Sequence, residues 1–312
     1  MDTIEKRDCI IIGGGAAGLG AALVLGRARR GVLLVDAGMQ SNRPAPHVGG
    51  LLGHDAVPPE ALYALAAKQL AQLPSVEIRR DDVGEARRIR DGEFEIALRS
   101  GRTARAQRLL LTTGMDYVVP DLPGLADLWG DSVFHCPFCH GWEVRDRSIG
   151  VLGSDTANVD RALLARAWSD DVVLLTNGEE PGGADRERLA AAGIPIAGRT
   201  VARLVHGLPT ARVRPKLERI VFDDGTDLRR EALLIQTPLR QRSEMIARLG
   251  VALTPGGMVE VDKEGQTSVR GVYAAGDVAG TIHQVSAAIA AGSAAAIWIT
   301  RDLMIAGADG RS

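Results

Sequence analysis

Two cysteines separated by two residues are the strongest sign of chemistry in this sequence. Cys136 and Cys139 stand in the string CPFCH, which ends with His140, and the remaining cysteine, Cys9, belongs to an apolar run near the start of the chain. A Cys-x-x-Cys pair at the start of a helix can cycle between dithiol and disulfide, because that position lowers the pKa of one thiol. We therefore predict a redox-active pair.

Three other interpretations of this pair stay open. As half of a zinc site it lacks a second cysteine pair, and the histidines are scattered along the chain. The string also matches C-x-x-C-H, the pattern of c-type haem attachment, but such attachment normally accompanies export, and no signal peptide is recognisable at the N-terminus. The last interpretation is a pair of inert cysteines in a hydrophobic core. We expect no metal site.

A glycine-rich turn near the N-terminus predicts a nucleotide site. Gly13, Gly15 and Gly18 fit G-x-G-x-x-G, after an apolar strand and before an Ala/Leu-rich helix. In this motif the glycines allow a tight turn, close approach of the backbone to a pyrophosphate, and close packing of helix on strand. Asp36 ends the following strand, 18 residues after Gly18, where a carboxylate can accept a ribose hydroxyl. The alternative is a tight turn without a ligand, and the motif alone does not choose between FAD and NAD.

A second glycine loop departs from this pattern. Residues 153–158 read GSDTAN, so Asp155 stands where the second glycine of the motif lets a pyrophosphate approach. One like-charge contact at about 4 Å, with an effective dielectric constant near 20, costs roughly 4 kcal/mol, which is on the order of a thousandfold in affinity. After the next strand come Glu179 and Glu180, instead of basic residues for the 2′-phosphate of NADPH. We therefore expect NADPH binding to be weak or lost; an unusual mode of binding at this loop is the alternative.

Composition narrows the function classes. The net charge is -2 and aromatic residues make up 4% of the chain, so neither electrostatics nor stacking favours a nucleic acid or an anionic membrane as partner. Three cysteines in 312 residues argue against a disulfide framework and for a reducing compartment. No uninterrupted apolar run reaches the roughly 18 to 20 residues of a membrane span. We expect a cytoplasmic protein with no membrane or nucleic acid partner.

Strands and helices alternate around these motifs. A strand, the first glycine turn, a helix and a strand ending at Asp36 form a β-α-β unit, and the same order recurs over residues 149–175. Asp91-Gly92 predicts a hairpin turn, and a last strand ending in Gly276-Asp277 precedes a long helix. The length suits two domains. Together these features predict an α/β fold with two dinucleotide-binding, Rossmann-like domains.

The first glycine turn, the dithiol and residues 271–277, which read GVYAAGD, together resemble the low-molecular-weight thioredoxin reductases over nearly the whole chain. This resemblance implies FAD at the first site and a homodimer. It also implies a split FAD-binding domain, residues 1–113 and 239–312, around an inserted NAD(P)H-type domain, residues 114–238, that carries the dithiol. The residues it assigns to FAD are Gly13, Gly15, Gly18, Asp36, Gly276 and Asp277, with Val83 and Gln284 as weaker candidates for the adenine and flavin ends.

The residues around the dithiol differ from those of a typical thioredoxin reductase. His140 stands where that family has Asp as acid/base, and residues 135–143, HCPFCHGWE, look like the dithiol oxidase branch, which closes disulfides in natural products such as gliotoxin, holomycin and romidepsin. Residues 43–55, with His47 and His54, are also similar to that branch. Histidine titrates near neutral pH, so His140 can take a thiol proton; a histidine that only packs is the alternative.

Together these observations predict an FAD-dependent dithiol oxidase acting on a small-molecule dithiol. The resemblance implies that the substrate attacks Cys136 and that Cys139 passes the electrons to the flavin. Without NADP⁺, molecular oxygen is the simplest electron acceptor. The alternatives are an NADPH-dependent disulfide reductase and a flavin electron-transfer or redox-sensing protein that exchanges electrons with a partner protein.

Overall fold

The computed structural model describes residues 5–208 and 214–308. Contacts divide the chain into two compact units. The first unit comprises Met1–Arg43, Gly50–Tyr117 and Leu239–Ser312. The second, named the dithiol unit below, comprises Pro44–Gly49 and Val118–Pro238.

The described residues form seventeen strands and seven helices. The strands in chain order are β1 (Glu5–Ile12), β2 (Val32–Asp36), β3 (Val76–Arg80), β4 (Val83–Arg90), β5 (Glu93–Leu98), β6 (Thr103–Leu111), β7 (Met115–Tyr117), β8 (Val133–Phe134), β9 (Ile149–Leu152), β10 (Val172–Leu175), β11 (Ile196–Ala197), β12 (Val201–His206), β13 (Leu217–Phe222), β14 (Asp227–Arg229), β15 (Ala232–Ile235), β16 (Leu239–Gln241) and β17 (Val272–Ala274). The helices are α1 (Ala16–Arg27), α2 (Pro59–Leu70), α3 (Pro137–His140), α4 (Thr156–Ala165), α5 (Gly183–Ala191), α6 (Met245–Arg248) and α7 (Val285–Ala308).

A seven-stranded sheet forms the centre of the first unit. Its order is β3-β2-β1-β6-β5-β4, and β17 also pairs with β6. β1 is parallel to β2 and β6, and β17 is parallel to β6, whereas β4 and β5 pair in an antiparallel hairpin around residues 91–92. The predicted β-α-β unit and the predicted hairpin are therefore confirmed. The carboxyl ends of β1, β2, β6 and β17 meet at one edge of the sheet, which is where nucleotides bind in folds of this class.

The central strands are buried on both faces of this sheet. Ile10 and Ile12 of β1 belong to one hydrophobic core, whereas Cys9 and Ile11 belong to a second core on the other face. This division follows because successive side chains of a strand point to opposite faces, and a strand covered on both sides is apolar throughout. The first glycine turn, Gly13–Gly18, thus directly follows a strand whose position is fixed by packing on both faces.

The dithiol unit repeats this plan on a smaller scale. Its five-stranded sheet has the order β11-β10-β9-β15-β8, with all neighbours parallel, and β12, β13 and β14 form a separate antiparallel sheet. The β9-α4-β10 segment matches β1-α1-β2 in order and direction. The α/β fold class with two Rossmann-like units is confirmed. Both first helices begin inside their glycine loops, α1 at Ala16 and α4 at Thr156.

Two short segments differ from the predicted domain boundaries. Residues 114–117 were predicted in the inserted domain, but β7 pairs with β16 in the first unit. Residues 44–49 were predicted in the FAD-binding domain, but they contact the dithiol unit and belong to it. Both differences arise from long-range contacts, which have no signature in local sequence.

The last helix, α7, is apolar over most of its length. Over Val285–Gly307 it is long and apolar enough, by length and composition alone, to cross a membrane, and it is the one such helix among the described residues. The sequence shows no uninterrupted apolar run of that length there, because Arg301 and Asp302 interrupt it. Its small residues pack into the core beside α1, and a Cβ on Gly292 would overlap the backbone of Ala17. A core helix passes the same length and composition test.

Candidate active site

Cys136 and Cys139 form a disulfide, with their Cα atoms 5.3 Å apart. Cys136 precedes α3, which is a single helical turn that holds Cys139 and ends at His140. Both cysteines are half-buried, and Phe138 between them is 62% exposed. The interpretation as a pair of inert core cysteines is therefore wrong. The dithiol lies in a turn at the surface of its unit, in the oxidised state that can accept electrons from a thiol.

The ring of His140 packs inward from this turn. It stacks on Phe134 with ring centroids 5.3 Å apart, and its Nε2 lies 3.1 Å from the carbonyl oxygen of Gly130. Burial lowers the pKa of His140, although the carbonyls of Cys136 and Gly130 and the charge of Glu143 favour the protonated ring. The ring is thus neutral at neutral pH, which is the form that accepts a proton.

The first glycine turn offers an open place for an anion. Gly15 is the N-cap of α1, which has no side-chain cap and no acidic residue in its first turn. A Cβ on Gly15 would have only Cγ of Gln40 within 4 Å, at 3.9 Å, whereas a Cβ on Gly18 would overlap the carbonyl oxygen of Gly13. Gly18 therefore serves packing, and Gly15 leaves room in front of an uncapped helix N-terminus, as a pyrophosphate requires.

The carboxylate of Asp36 lies beside this turn, at the end of β2. Its Oδ1 accepts hydrogen bonds from the N–H of Gly38 at 2.8 Å and from Gln40 at 3.0 Å. Its Oδ2 pairs with Arg80 at 2.6 Å. The Arg80 side chain is 63% exposed, and exposed ion pairs of this kind contribute little. A ribose hydroxyl can therefore replace Arg80 at Oδ2.

Gly276 and Asp277 follow β17 at the same edge of the sheet. Gly276 has φ +80°, and a Cβ there would lie 2.8 Å from the Cβ of Ala17, so the chain passes close to α1. The carboxylate of Asp277 accepts no hydrogen bond from another described residue. Burial raises the pKa of Asp277, against the opposing charges of His283 and Arg242. A buried carboxylate with free acceptor capacity suits the hydroxyl groups of a ribityl chain.

The two weaker candidates lie in the same unit. Val83 begins β4, and its side chain is buried in the hydrophobic core. Gln284 immediately precedes α7, and its amide nitrogen is 4.0 Å from the position of a Cβ on Gly50. Their roles at the adenine and flavin ends stay predictions.

The second glycine loop is closed by its own side chains. Asp155 is the N-cap of α4, and its Oδ1 accepts hydrogen bonds from the backbone N–H and the side-chain amide of Asn158, each at 2.8 Å. A Cβ on Gly153 would overlap the same Asn158 amide. Ser154 donates a hydrogen bond to Glu179. The helix N-terminus that would bind a phosphate is thus already occupied by a carboxylate.

Residues 44–49 contact the turn that carries the dithiol. A Cβ on Gly49 would overlap the carbonyl oxygen of Cys139, and a Cβ on Gly130 would lie 2.9 Å from the backbone of Pro44. Nε2 of His47 lies 3.1 Å from Oε1 of Glu143. In the sequence, only the resemblance to the dithiol oxidase branch draws attention to His47, and nothing there assigns a role to Glu143. No local signal could pair them, because 96 positions separate them along the chain.

Comparison with known proteins gives consistent matches over almost the whole chain. Residues 7–292 match the profile of the family described as "Pyridine nucleotide-disulphide oxidoreductase". The chain is 35% identical over 303 residues to "Thioredoxin reductase tcpT" of Claviceps purpurea, which covers 95% of this chain and 94% of that protein. Two solved structures, each 35% identical, are also similar. The oxidoreductase from Agrobacterium tumefaciens has a TM-score of 0.88 and covers 96% of this chain and 99% of its own; HlmI has a TM-score of 0.89 and covers 97% and 95%.

Proposed function

Because this chain belongs to the pyridine nucleotide-disulphide oxidoreductase family, as one of its thioredoxin reductase-like flavoproteins, we propose that it is an FAD-dependent dithiol oxidase. The family makes it a flavin thiol/disulfide oxidoreductase. Beyond the family, we propose the direction of the reaction and its reactants. The protein closes a disulfide in a small-molecule dithiol and uses molecular oxygen as electron acceptor.

The closed second glycine loop is the observation that supports this direction most strongly. A reductase of this family needs a nucleotide to supply electrons, and the pyrophosphate of that nucleotide would have to displace Asp155 from the N-terminus of α4. The displaced carboxylate would then lie beside two phosphate charges, and the donors of Asn158 would lose their acceptor. If NADPH does not bind there, a dithiol substrate is the simplest source of electrons and oxygen the simplest acceptor.

The relay proceeds through the disulfide between Cys136 and Cys139. A substrate thiolate attacks Sγ of Cys136 and breaks the disulfide, and Cys139 leaves as a thiolate. His140 takes the proton of the second substrate thiol. The resulting thiolate attacks the substrate sulfur of the mixed disulfide, closes the product disulfide and releases Cys136 as a thiolate. FAD, when bound, would supply the two-electron acceptor for the reduced cysteine pair, with oxygen as the proposed final acceptor. Gly15, whose Cβ position is open, fits the pyrophosphate of that FAD.

Flavin absorbance under argon tests this proposal. We expect dithiothreitol to bleach the purified holoprotein while NADPH leaves its absorbance unchanged. Colour and hydrogen peroxide should return when air is admitted. Rapid bleaching by NADPH, or reduced flavin that persists in air, would contradict the oxidase.

The second candidate is an NADPH-dependent disulfide reductase, which the name of the relative, thioredoxin reductase tcpT, favours. NADPH consumption with a disulfide substrate would distinguish it. A flavin electron-transfer or redox-sensing protein is the remaining alternative, and it predicts no turnover with any dithiol or disulfide. A second copy of this chain, in a homodimer, is the proposed protein partner.

A further inference from the structure

A half-buried carboxylate–histidine pair lies close to the dithiol, and the relay described above does not use it. Nε2 of His47 lies 3.1 Å from Oε1 of Glu143, and the two side chains are 19% and 32% exposed. Nε2 of His47 and Oε2 of Glu143 are buried atoms, and neither makes a hydrogen bond with another described residue. Nε2 is thus shielded from water, although both side chains are partly exposed.

The position of the carboxylate indicates which nitrogen of His47 can act as a base. An ionised carboxylate has no proton to donate, so the contact at 3.1 Å favours the neutral ring with its proton on Nε2. Nδ1 then holds the lone pair that can accept a proton. Glu143 is therefore the residue placed to hold His47 in this tautomer.

Backbone contacts connect both residues to the dithiol. Glu143 is four residues after Cys139, and its N–H donates to the carbonyl oxygen of His140 at 3.2 Å. Gly49, two residues after His47, lies so close to the carbonyl oxygen of Cys139 that a Cβ would overlap it. His47 and Glu143 also influence the pKa of His140 electrostatically, in opposite directions. The dithiol turn and segment 44–49 thus bring together two histidines, a carboxylate and the disulfide.

On the basis of the proposed function, we propose that His47 is a catalytic base for the substrate thiol that attacks Cys136, and that Glu143 is its positioning residue. The thiol gives its proton to Nδ1 of His47, and the resulting thiolate forms a bond to Sγ of Cys136. The disulfide bond breaks, and its electron pair leaves with Cys139 as a thiolate. A dithiol loses two protons in all; His47 takes the first and His140 takes the second.

The titratable and charged groups near His47 come from the dithiol turn and from one arginine. Glu143 and His140 face it from the dithiol turn, and Arg214 donates a hydrogen bond to the carbonyl oxygen of Pro44 in the same segment. The other residues of segment 44–49 carry no charge. Loss of the Glu143 carboxylate removes the group in contact with Nε2, so it should slow the reaction that His47 assists.

The test is the rate at which dithiothreitol bleaches the flavin of the holoprotein under argon, measured from pH 5.5 to pH 10. We expect His47→Gln to slow bleaching about a hundredfold at pH 7, a typical loss for a general base. The rates of variant and wild type should converge above about pH 9, where the thiol ionises without help. Glu143→Gln should lower the rate less than His47→Gln, because the base itself remains. His54→Gln is the matched control, an exposed histidine of the same loop, and should keep the full rate.

The outcomes separate this proposal from a purely structural role. A His47→Gln profile equal to that of the wild type, or slower by the same factor at every pH, would overturn it; the second result would mean that the pair only fixes segment 44–49. Wild-type flavin that dithiothreitol does not bleach would instead remove the proposed function and the role of His47 with it.

Discussion

Oδ1 of Asp155 lies 2.8 Å from the backbone nitrogen of Asn158 and equally far from its side-chain nitrogen. This contact distinguishes two glycine loops that are built on the same β-α-β frame. The N-terminus of α1 has no side-chain acceptor, whereas that of α4 has its own carboxylate. A helix N-terminus attracts anions through its free N–H groups and its dipole, so we expect the first loop to be available to a phosphate and the second not to be.

Replacing Asp155 should separate the effect of its charge from its effect as a cap. We expect Asp155→Gly, combined with Asn158→Ala, to gain NADPH binding, because both side chains leave the place of the pyrophosphate. The measurement is a titration of the purified protein with NADPH, followed by flavin absorbance and by nucleotide fluorescence.

Asp155→Asn is the matched control for that experiment. Asparagine caps a helix about as well as aspartate, so the melting temperature of the Asp155→Asn variant should stay near that of the wild type. Loss of the cap in the glycine variant should cost only about a few tenths of a kcal/mol, which corresponds to roughly one degree for a chain of this size. NADPH affinity that stays unmeasurable in the double variant would show that other residues, such as Glu179, also exclude the nucleotide.

Two alanine substitutions in the first glycine turn should have opposite effects. Gly15→Ala places its methyl group in open space, 3.9 Å from Gln40, so the apoprotein should fold normally while FAD affinity falls at least tenfold. Gly18→Ala places its methyl group on the carbonyl oxygen of Gly13, so the apoprotein should lose about 1 to 3 kcal/mol of stability. The ratio of flavin to protein absorbance after purification and apoprotein melting curves check both. Equal FAD retention in Gly15→Ala and wild type would place the pyrophosphate elsewhere.

The three cysteines should differ sharply in a turnover assay with a small dithiol. Cys136→Ser and Cys139→Ser each remove one sulfur of the disulfide, so both should lose at least a thousandfold in peroxide formation. Cys9→Ala should retain turnover, because Cys9 is fully buried in a core strand, and burial raises the pKa of its thiol far above the working range. Full turnover by Cys136→Ser would rule out the relay.

The buried ring of His140 should make the protein less stable in acid. Its folded pKa is lowered by burial, so between that value and about 6.5 the unfolded chain binds more protons, and the free energy of unfolding falls as pH falls. His140→Gln lacks this dependence. Urea unfolding at pH 7.5 and pH 5.5 should therefore show a smaller stability difference between wild type and variant at the lower pH. A constant difference would mean that the ring does not titrate in this window.

The sequence predicts the repeated parts of this fold well and its irregular contacts poorly. The glycine turns before α1 and α4, and the alternation of apolar strands, follow local rules, so both β-α-β units were predictable. The replacement of glycine by Asp155 was visible, but its role as a cap for α4 depends on the orientation of one carboxylate. The contact between His47 and Glu143 joins two segments that lie far apart in the chain, residues 44–49 and the turn after Cys136. No period or spacing in the sequence encodes such a contact.

The dithiol unit is assembled from two stretches of chain, and this limits how it can be inherited. Exchange of residues 118–238 between two related genes would transfer the disulfide, His140 and Glu143 in one piece, but would leave His47 behind with the recipient. The product would then join a new carboxylate to an old loop, with Gly49 facing a foreign carbonyl group. We therefore expect substitutions in residues 44–49 to be matched by substitutions in the turn after Cys136 as related genes diverge, although two separate parts of the gene encode these segments.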